Sequence, residues 1–477
     1  MTFECSYYLE PVDTTDLPRR FLDAFAAILQ HSSYPMILEA ASRVTSRCGR
    51  CTSTCPVFQA SGDPRDIPCH RSELLLRIYR RYFTFSGTLK ARLGVGHELD
   101  EAAINTLAEE VYRCTACRRC KLECPMGIDH GLITHLARWV LAEVGIVPKA
   151  LVVATREQLE GKTHNTSAIP EAAMRDTCEF LEEDCADEHG LAITFPIDQQ
   201  GAEYVFFPAV SDYLLEPDTL TGNAAVMTAT GGSWTIGSRY FDGINYGLFY
   251  SDRMLDRIVS MEAEEVRRLG AKKILIGECG HASRSAKFFI RTFNGPDAPQ
   301  VVNFMEYTYQ AWRDGKLELK ADVITERVTY HDPCNIARTG WIIEQPREVL
   351  RHICTDFVDM TPKGRENYCC GGGGGTVSID EIRPFGTKVG GAAKAEQIRR
   401  TGATLLVAPC ANCKKQLAEV CEDHGLDHVK VVGFHDLVLL AMVAPEFMRL
   451  DSAEAEPAEA STEAVEECAV TSSARTS

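Results

Sequence analysis

Apolar residues recur at helical spacing near the start of the chain. Leu17, Phe21, Phe25, Ile28 and Leu29 share one face and predict a helix over 17–31. Pro35 marks a break beyond it. Further helices are expected at 72–82 and 101–112, and helix continues through 132–160. Region 161–200 is polar and acidic, contains Pro170 and Pro196, and reads as a linker. The longest apolar run, Val431 to Ala444, contains His435 and Asp436 and falls short of the roughly 20 residues a bilayer demands. Beyond Leu450 the chain is Ala, Glu, Ser and Thr with few large apolar residues. It cannot bury enough surface to offset its ordering entropy, so residues 447–477 are expected to form an acidic disordered tail.

The second half repeats itself. Ala263 to Cys279 aligns with Ala395 to Cys410 after a single one-residue insertion. Each copy reads as a helix, a Gly-Ala turn, a buried strand and a cysteine at the strand's carboxyl end. Helix-then-strand repetition implies parallel α/β units, whose ligands sit beyond the carboxyl ends of the strands. The expected organisation is a helical segment (1–40), a helical cysteine-rich domain (41–160), the linker (161–200), two tandem α/β domains (201–320 and 321–446) and the tail. The fold class is therefore multidomain, α followed by α/β.

Charge and cysteine content narrow the function. A net charge of −17 excludes nucleic acid, whose phosphates need a basic surface; residues 451–477 carry −6 of it, leaving −11 on the body. Met1 to Cys5 lacks a basic region followed by an apolar run, so no secretory signal is expected. The 20 cysteines cluster in ligand spacings, which fits thiolates in a reducing cytoplasm better than disulfides.

Two runs carry the first chemistry. Cys114, Cys117, Cys120 and Cys124-Pro125 form the full C-x2-C-x2-C-x3-C-P run of two-cluster ferredoxins. Cys48, Cys51 and Cys55-Pro56 repeat it with Thr45 in the leading position. In such pairs the first three cysteines of a run hold one [4Fe-4S] cube, and the fourth crosses to the other cube. Thr45 leaves the cube of Cys48, Cys51 and Cys124 open to three readings: an oxygen or Cys69 as fourth ligand, a [3Fe-4S] cluster, or a labile one. Zinc also uses C-x2-C pairs, but it has no use for seven cysteines ending twice in Cys-Pro. Arg47, Arg50, Arg113, Arg118, Arg119 and Lys121 flank the runs and either raise cluster potential or form a docking face.

A second constellation lies downstream: Cys334, Cys369-Cys370-Gly371, and Cys410-Ala-Asn-Cys413. Adjacent cysteines in an extended strand would face opposite ways. Sharing one site therefore needs a sharp bend, and Gly371–Gly375 supply that freedom and allow close main-chain approach. No Walker or G-x-G-x-x-G pattern follows, so the glycines are not a phosphate loop. His331 and Asp332 precede a ligand position and are candidates for proton donation. Cys5, Cys178, Cys185, Cys354, Cys421 and Cys468 lack ligand spacing and are read as bystanders.

The spacing C-x(n)-C-C-G-x(n)-C-x-x-C resembles the CCG domain of heterodisulfide reductases. A two-cluster ferredoxin module followed by two such domains resembles the D-type iron–sulfur chain of the membrane enzyme over roughly residues 40–445. Gly62 to Pro68 and Arg80 to Gly87 resemble the cytoplasmic iron–sulfur subunits of sulfate reducers' transmembrane complexes, above all the high-molecular-weight cytochrome c complex. The resemblance implies one or two cubane clusters in an α-helical ferredoxin domain. It also implies a non-cubane [4Fe-4S] cluster on Cys334, Cys369, Cys370, Cys410 and Cys413, where a disulfide is reduced. The first α/β copy departs from the pattern. Thr230-Gly231-Gly232 stands where Cys-Cys-Gly is expected, and Cys279-Gly-His-Ala282 where Cys-x-x-Cys is expected, so this copy reads as a degenerate structural half.

The expectation is a peripheral electron-transfer subunit on the cytoplasmic side of a membrane complex in sulfate respiration. Its partners would be integral membrane and multihaem cytochrome c subunits and a cytoplasmic disulfide or thiol acceptor. The alternative is a soluble heterodisulfide-type or protein-disulfide reductase.

Overall fold

The computed structural model describes residues 13–44 and 48–450. Its amino-terminal part is helical: Leu17–Gln30, Tyr34–Val44, Pro68–Tyr82, Glu101–Tyr112, His130–Glu143 and Lys149–Glu160 are its longer helices. The apolar stripe Leu17, Phe21, Phe25 and Ile28 is buried, and that helix packs on His130–Glu143. Pro35 does not interrupt structure but opens the next helix, in a first turn whose N–H would be unpaired anyway. The single helix expected over 132–160 is two. Gly145 at φ 88° ends the first, and Pro148 immediately precedes the second.

Residues 161–200 are not a linker. They form the helix Glu171–His189, whose Met174, Cys178, Leu181 and Cys185 make a buried stripe. An extended segment follows and bridges Ile197 to Ile236 and Leu191 to Arg449. The acidic outer face hid this stripe, two of whose four positions are cysteines. The body also runs further than expected, because Met448 is fully buried and its carbonyl accepts from Ala192 N at 2.7 Å. The tail beyond Leu450 lies outside the described residues.

Two four-stranded parallel sheets make up the rest. The first contains β1 (Tyr204–Phe207), β2 (Trp234–Thr235), β3 (Lys273–Ile276) and β4 (Gln300–Asn303) in the order β2-β1-β3-β4. The second contains β5 (Ile324–Tyr330), β6 (Cys354–Asp359), β7 (Leu405–Val407) and β8 (Lys430–Val432) in the order β6-β5-β7-β8. The orders are identical, as a repeated module requires. In each copy a left-handed glycine, Gly270 or Gly402, stands between the helix and the central strand. The carboxyl ends of the sheets meet. The Glu278 carboxylate accepts from the backbone N–H groups of Phe434 and His435 and pairs with the His435 ring at 2.7 Å, while its carbonyl accepts from Ala411 N. Lys414 reaches back to Thr219 at 2.7 Å and Glu216 at 3.2 Å.

One buried arginine joins all three parts. Arg138 donates to the carbonyls of Val111 and Cys114 in the helical domain, Phe249 beside the first sheet and Gly374 beside the second. Its guanidinium also lies over the Tyr112 ring at 4.5 Å. Arg138→Met keeps the volume but strands these carbonyls, and is expected to destabilise the protein by about 3 kcal/mol or more. Anaerobic thermal melts compare the two proteins; superimposable curves would refute this role.

Candidate metal centres

The first cysteine run is shaped by Gly49 at φ 68°, a 3-10 turn over Arg50–Ser53, and the helix that Pro56 opens. The second bends through Ala116 and Arg118, both at positive φ. This loop turns main-chain amides onto sulfur: Ala116 N points at Cys114 Sγ and Ile128 N at Cys124 Sγ, each at 3.4 Å. Cys55, Cys114, Cys117 and Cys120 line one cavity. Cys48, Cys51 and Cys124 line another, together with Cys69. The fourth cysteine of each run thus lies in the cavity of the other run. Thr45 and Arg47 fall outside the described residues.

Most flanking cations are committed. Arg113 is held by Asp66, and Arg118 and Lys121 flank Asp129 at 3.6 Å. Arg119 donates to the carbonyls of Thr54 and Glu366 and covers the Tyr368 ring. One cation at the sulfurs is missing from the flanking set: buried Arg71 lines the cavity of Cys55, Cys114, Cys117 and Cys120 together with Arg118.

Downstream, the bend at Cys369-Cys370-Gly371 is real, with Gly371 at φ 99° and its N–H on Cys369 Sγ at 3.4 Å. Cys370 and Cys413 sulfurs stand 3.4 Å apart. The ring of His331 faces both, with all three ligand atoms within 4.8 Å. Cys369 also meets Cys334, and Cys413 meets Cys410. All five cysteines are thus brought together. The neighbouring thiols of Cys369 and Cys413 hold Cys370 well below the usual thiol range, and Cys279 and Cys413 do the same to Cys410. The same contacts and burial push Cys369 and Cys413 up, so the donors share protons among themselves. A buried set of soft sulfur donors fits an iron–sulfur cluster and ill suits a hard cation.

Two cysteines outside the five adjoin this site. Cys117 of the ferredoxin run touches Cys369. Cys279 touches Cys410, and Gly280 N donates to Cys410 Sγ at 3.3 Å. Cys279 lies three residues past the end of β3, as Cys410 does past β7, so the repeat already contained the signal. The Thr230-Gly231-Gly232 correspondence is a different matter. Those residues sit between the helix Pro217–Ala229 and the start of β2, at the amino ends of the strands and away from the sulfurs. They are no counterpart of Cys369-Cys370-Gly371.

The remaining groups have distinct environments. Asp332 is clamped by Arg347 at 2.6 Å and accepts from Gly364 N, which removes it from proton donation. Burial keeps His331 below the ordinary histidine range and pushes Lys394 down to about 8. Burial pushes the bystander thiols Cys178 and Cys354 up to about 12, which makes them inert. Beside Cys124 opens a cleft of about 600 Å³ lined by Arg118, Lys121, Asp129, Arg284, Arg338 and Arg365, with Trp341 at its rim. Arg284 from its wall hydrogen-bonds Asn335.

Comparison with known proteins agrees with these cavities. Residues 46–128 match the 4Fe-4S dicluster domain, and residues 328–418 match the CCG cysteine-rich domain. The chain is 29% identical over 472 residues to the Hdr-like menaquinol oxidoreductase iron-sulfur subunit 2 of Archaeoglobus fulgidus, covering 90% of this chain and 84% of that protein. It is 26% identical over 383 residues to one of the subunits of the dihydromethanophenazine:CoB–CoM heterodisulfide reductase of Methanosarcina barkeri, covering 78% and 87% respectively. Its homologues include these heterodisulfide-reductase-like iron–sulfur subunits. The chain is thus an iron–sulfur electron-transfer protein with an α-helical cluster domain and parallel α/β CCG architecture. No helix among the described residues is long and apolar enough to cross a membrane.

The glycine run explains how the two halves of this iron–sulfur protein meet. A Cβ on Gly373 would strike the Thr115 carbonyl, and one on Gly374 would stand 2.9 Å from the Cys114 carbonyl. The close approach is to the ferredoxin backbone. Gly373→Ala is expected to lower the melting temperature and alter the EPR spectrum of the ferredoxin domain, although it removes no cysteine. An unchanged spectrum and melt would show that the contact is dispensable.

Proposed function

We propose that this protein is the iron–sulfur subunit of a membrane-associated, quinol- or cytochrome-linked redox complex, and that it delivers electrons to a disulfide at the CCG site. Cys55, Cys114, Cys117 and Cys120 hold one cubane cluster, and Cys48, Cys51 and Cys124 contribute to the other. Cys334, Cys369, Cys370, Cys410 and Cys413 hold the non-cubane cluster. When bound, the clusters supply one-electron transfer, and the protein supplies spacing, burial and potential. The observation that carries this reading is the contact between Cys117 and Cys369, which leaves no intervening layer between the ferredoxin and CCG sites. Arg338 fixes that contact by donating to the carbonyls of Cys117, Arg365 and Asn367.

The balance of the terminal step is one disulfide, two electrons and two protons giving two thiols. His331, neutral through burial and facing Cys370 and Cys413, is the titratable group placed to hold a proton beside these sulfurs. The cationic cleft, whose Arg284 hydrogen-bonds Asn335 next to Cys334, suits an acceptor that carries negative charge. The protein sits peripherally on the cytoplasmic side of the membrane in sulfate respiration, and its partners are an integral quinol-oxidising subunit and multihaem cytochrome c subunits. The menaquinol-oxidoreductase name of the Archaeoglobus relative supports the quinol link.

Cys370→Ser tests the acceptor site. Iron content is expected to fall and the CCG-site EPR signal to vanish, while the reduced ferredoxin-domain signals persist; a variant with every signal unchanged sinks the assignment. A second comparison separates ligand from neighbour. Cys410→Ser is expected to lose iron, whereas Cys279→Ser keeps it and shifts the site's reduction potential, because its thiol touches a ligand sulfur. Equal iron loss in both would make Cys279 a ligand. Co-purification from solubilised membranes with a membrane or haem-bearing subunit is the expected result for the intact complex. Recovery with soluble partners alone would favour a soluble reductase.

A further inference from the structure

The cavity of Cys48, Cys51 and Cys124 has a fourth sulfur that no ferredoxin spacing anticipates. Cys69 lines the same cavity, whose remaining wall combines the apolar Val44, Pro125, Met126 and Ile128 with Gly49, Arg50 and His130. Its thiol is within hydrogen-bonding reach of the Cys51 thiol, and the N–H groups of Gly49 and His70 point at it. These contacts come from both sides of the cavity: Gly49 belongs to the cysteine run, and His70 to the helix that carries Cys69.

That helix holds Cys69 in place. Cys69 is the second residue of Pro68–Tyr82, after a proline at the first position. Leu75 and Leu76 of the same helix are fully buried. Ser72 hydrogen-bonds His130 Nδ1 at 2.8 Å, and His130 opens the helix that follows the second cysteine run. The start of Pro68–Tyr82 is thereby fastened to both runs. A sulfur on a rigid helix start, aimed into a cavity already lined by three sulfurs, has the character of a ligand and not of a bystander. The contrast with Cys178 is instructive, since that thiol is packed against Met174 within an apolar stripe.

We propose that Cys69 is the fourth thiolate of this cluster, replacing the cysteine that the run lacks at Thr45 and making the site a four-iron cubane. A cubane takes one protein ligand per iron, and four thiolates match it. The inference rests on the reading that the first run binds a cluster. Cys48 is the exposed member of the set, so the cavity opens to solvent on that side.

Full-length protein purified anaerobically, with Cys69→Ser, Thr45→Ala and Cys48→Ser variants, tests it by iron analysis and EPR of oxidised and reduced samples. Cys69→Ser is expected to lose one iron per chain and to show the oxidised-state signal of a three-iron cluster; Thr45→Ala is expected to match the unaltered protein. The proposal is overturned if Cys69→Ser matches the unaltered protein, or if Thr45→Ala is the variant that yields the three-iron signal. If Cys48→Ser also changes nothing, the run binds no cluster and the underlying reading fails as well. Should Cys69→Ser not fold, thiol alkylation of the unaltered holoprotein decides the matter. Cys69 is expected to be protected while iron is bound and labelled after chelation, and labelling before chelation would overturn the proposal.

Discussion

The structure depends on buried arginines donating to main-chain carbonyls. Arg138 draws carbonyls from the ferredoxin run, the first α/β half and the glycine loop around one guanidinium. Arg119 and Arg338 do the same nearer the sulfurs, reaching from Cys117 and Thr54 to the segment just before Cys369. Arginine suits this work because its planar fork presents five fixed donors and is weakly hydrated, so it can satisfy several buried carbonyls at once. Loops that carry cysteines are irregular, and their carbonyls cannot pair in helices or sheets. Without these cations the loops would leave polar groups buried and unpaired.

The glycine run is the steric complement of this clamp. Side chains at Gly373 or Gly374 would push the CCG loop off the carbonyls of Cys114 and Thr115. Only a Cβ-free backbone lets two cysteine loops from distant parts of the chain share a wall. Electron transfer between sites needs that proximity, and here backbone contact enforces it. The result is a continuous file of sulfurs in which Cys117 meets Cys369, Cys370 meets Cys413, and Cys410 meets Cys279.

Duplication explains the far end of the file. Two copies of one parallel module are joined with the carboxyl ends of their strands facing, so equivalent positions oppose each other. Cys279 and Cys410 are such a pair, and Glu278 seals the junction by capturing the backbone of Phe434 and His435. The degenerate half is therefore more than a cover. It supplies a sulfur, His281 and the buried acid that aligns its partner half.

Local pattern alone determined a good deal. The stripe of Leu17, Phe21, Phe25 and Ile28, the two Cys-Pro runs and the repeated helix-turn-strand were legible because each is written in consecutive residues with a fixed period. The five downstream cysteines were legible as a set because two short motifs contain four of them. The chain written in order could not show which loops touch. Cys69 has no spacing to the ferredoxin run, and only the packing of Pro68–Tyr82 brings it to Cys51. The helix Glu171–His189 reads as linker because its acids outnumber its apolar stripe, and the stripe gains meaning only from the surface that covers it. Asp332 reads as a proton donor until Arg347, on another element, closes around it. Spacing along the chain picked out the thiols of the two runs and of the CCG set, whereas packing and backbone hydrogen bonding across long sequence separations decided which of them meet and brought Cys69 among them.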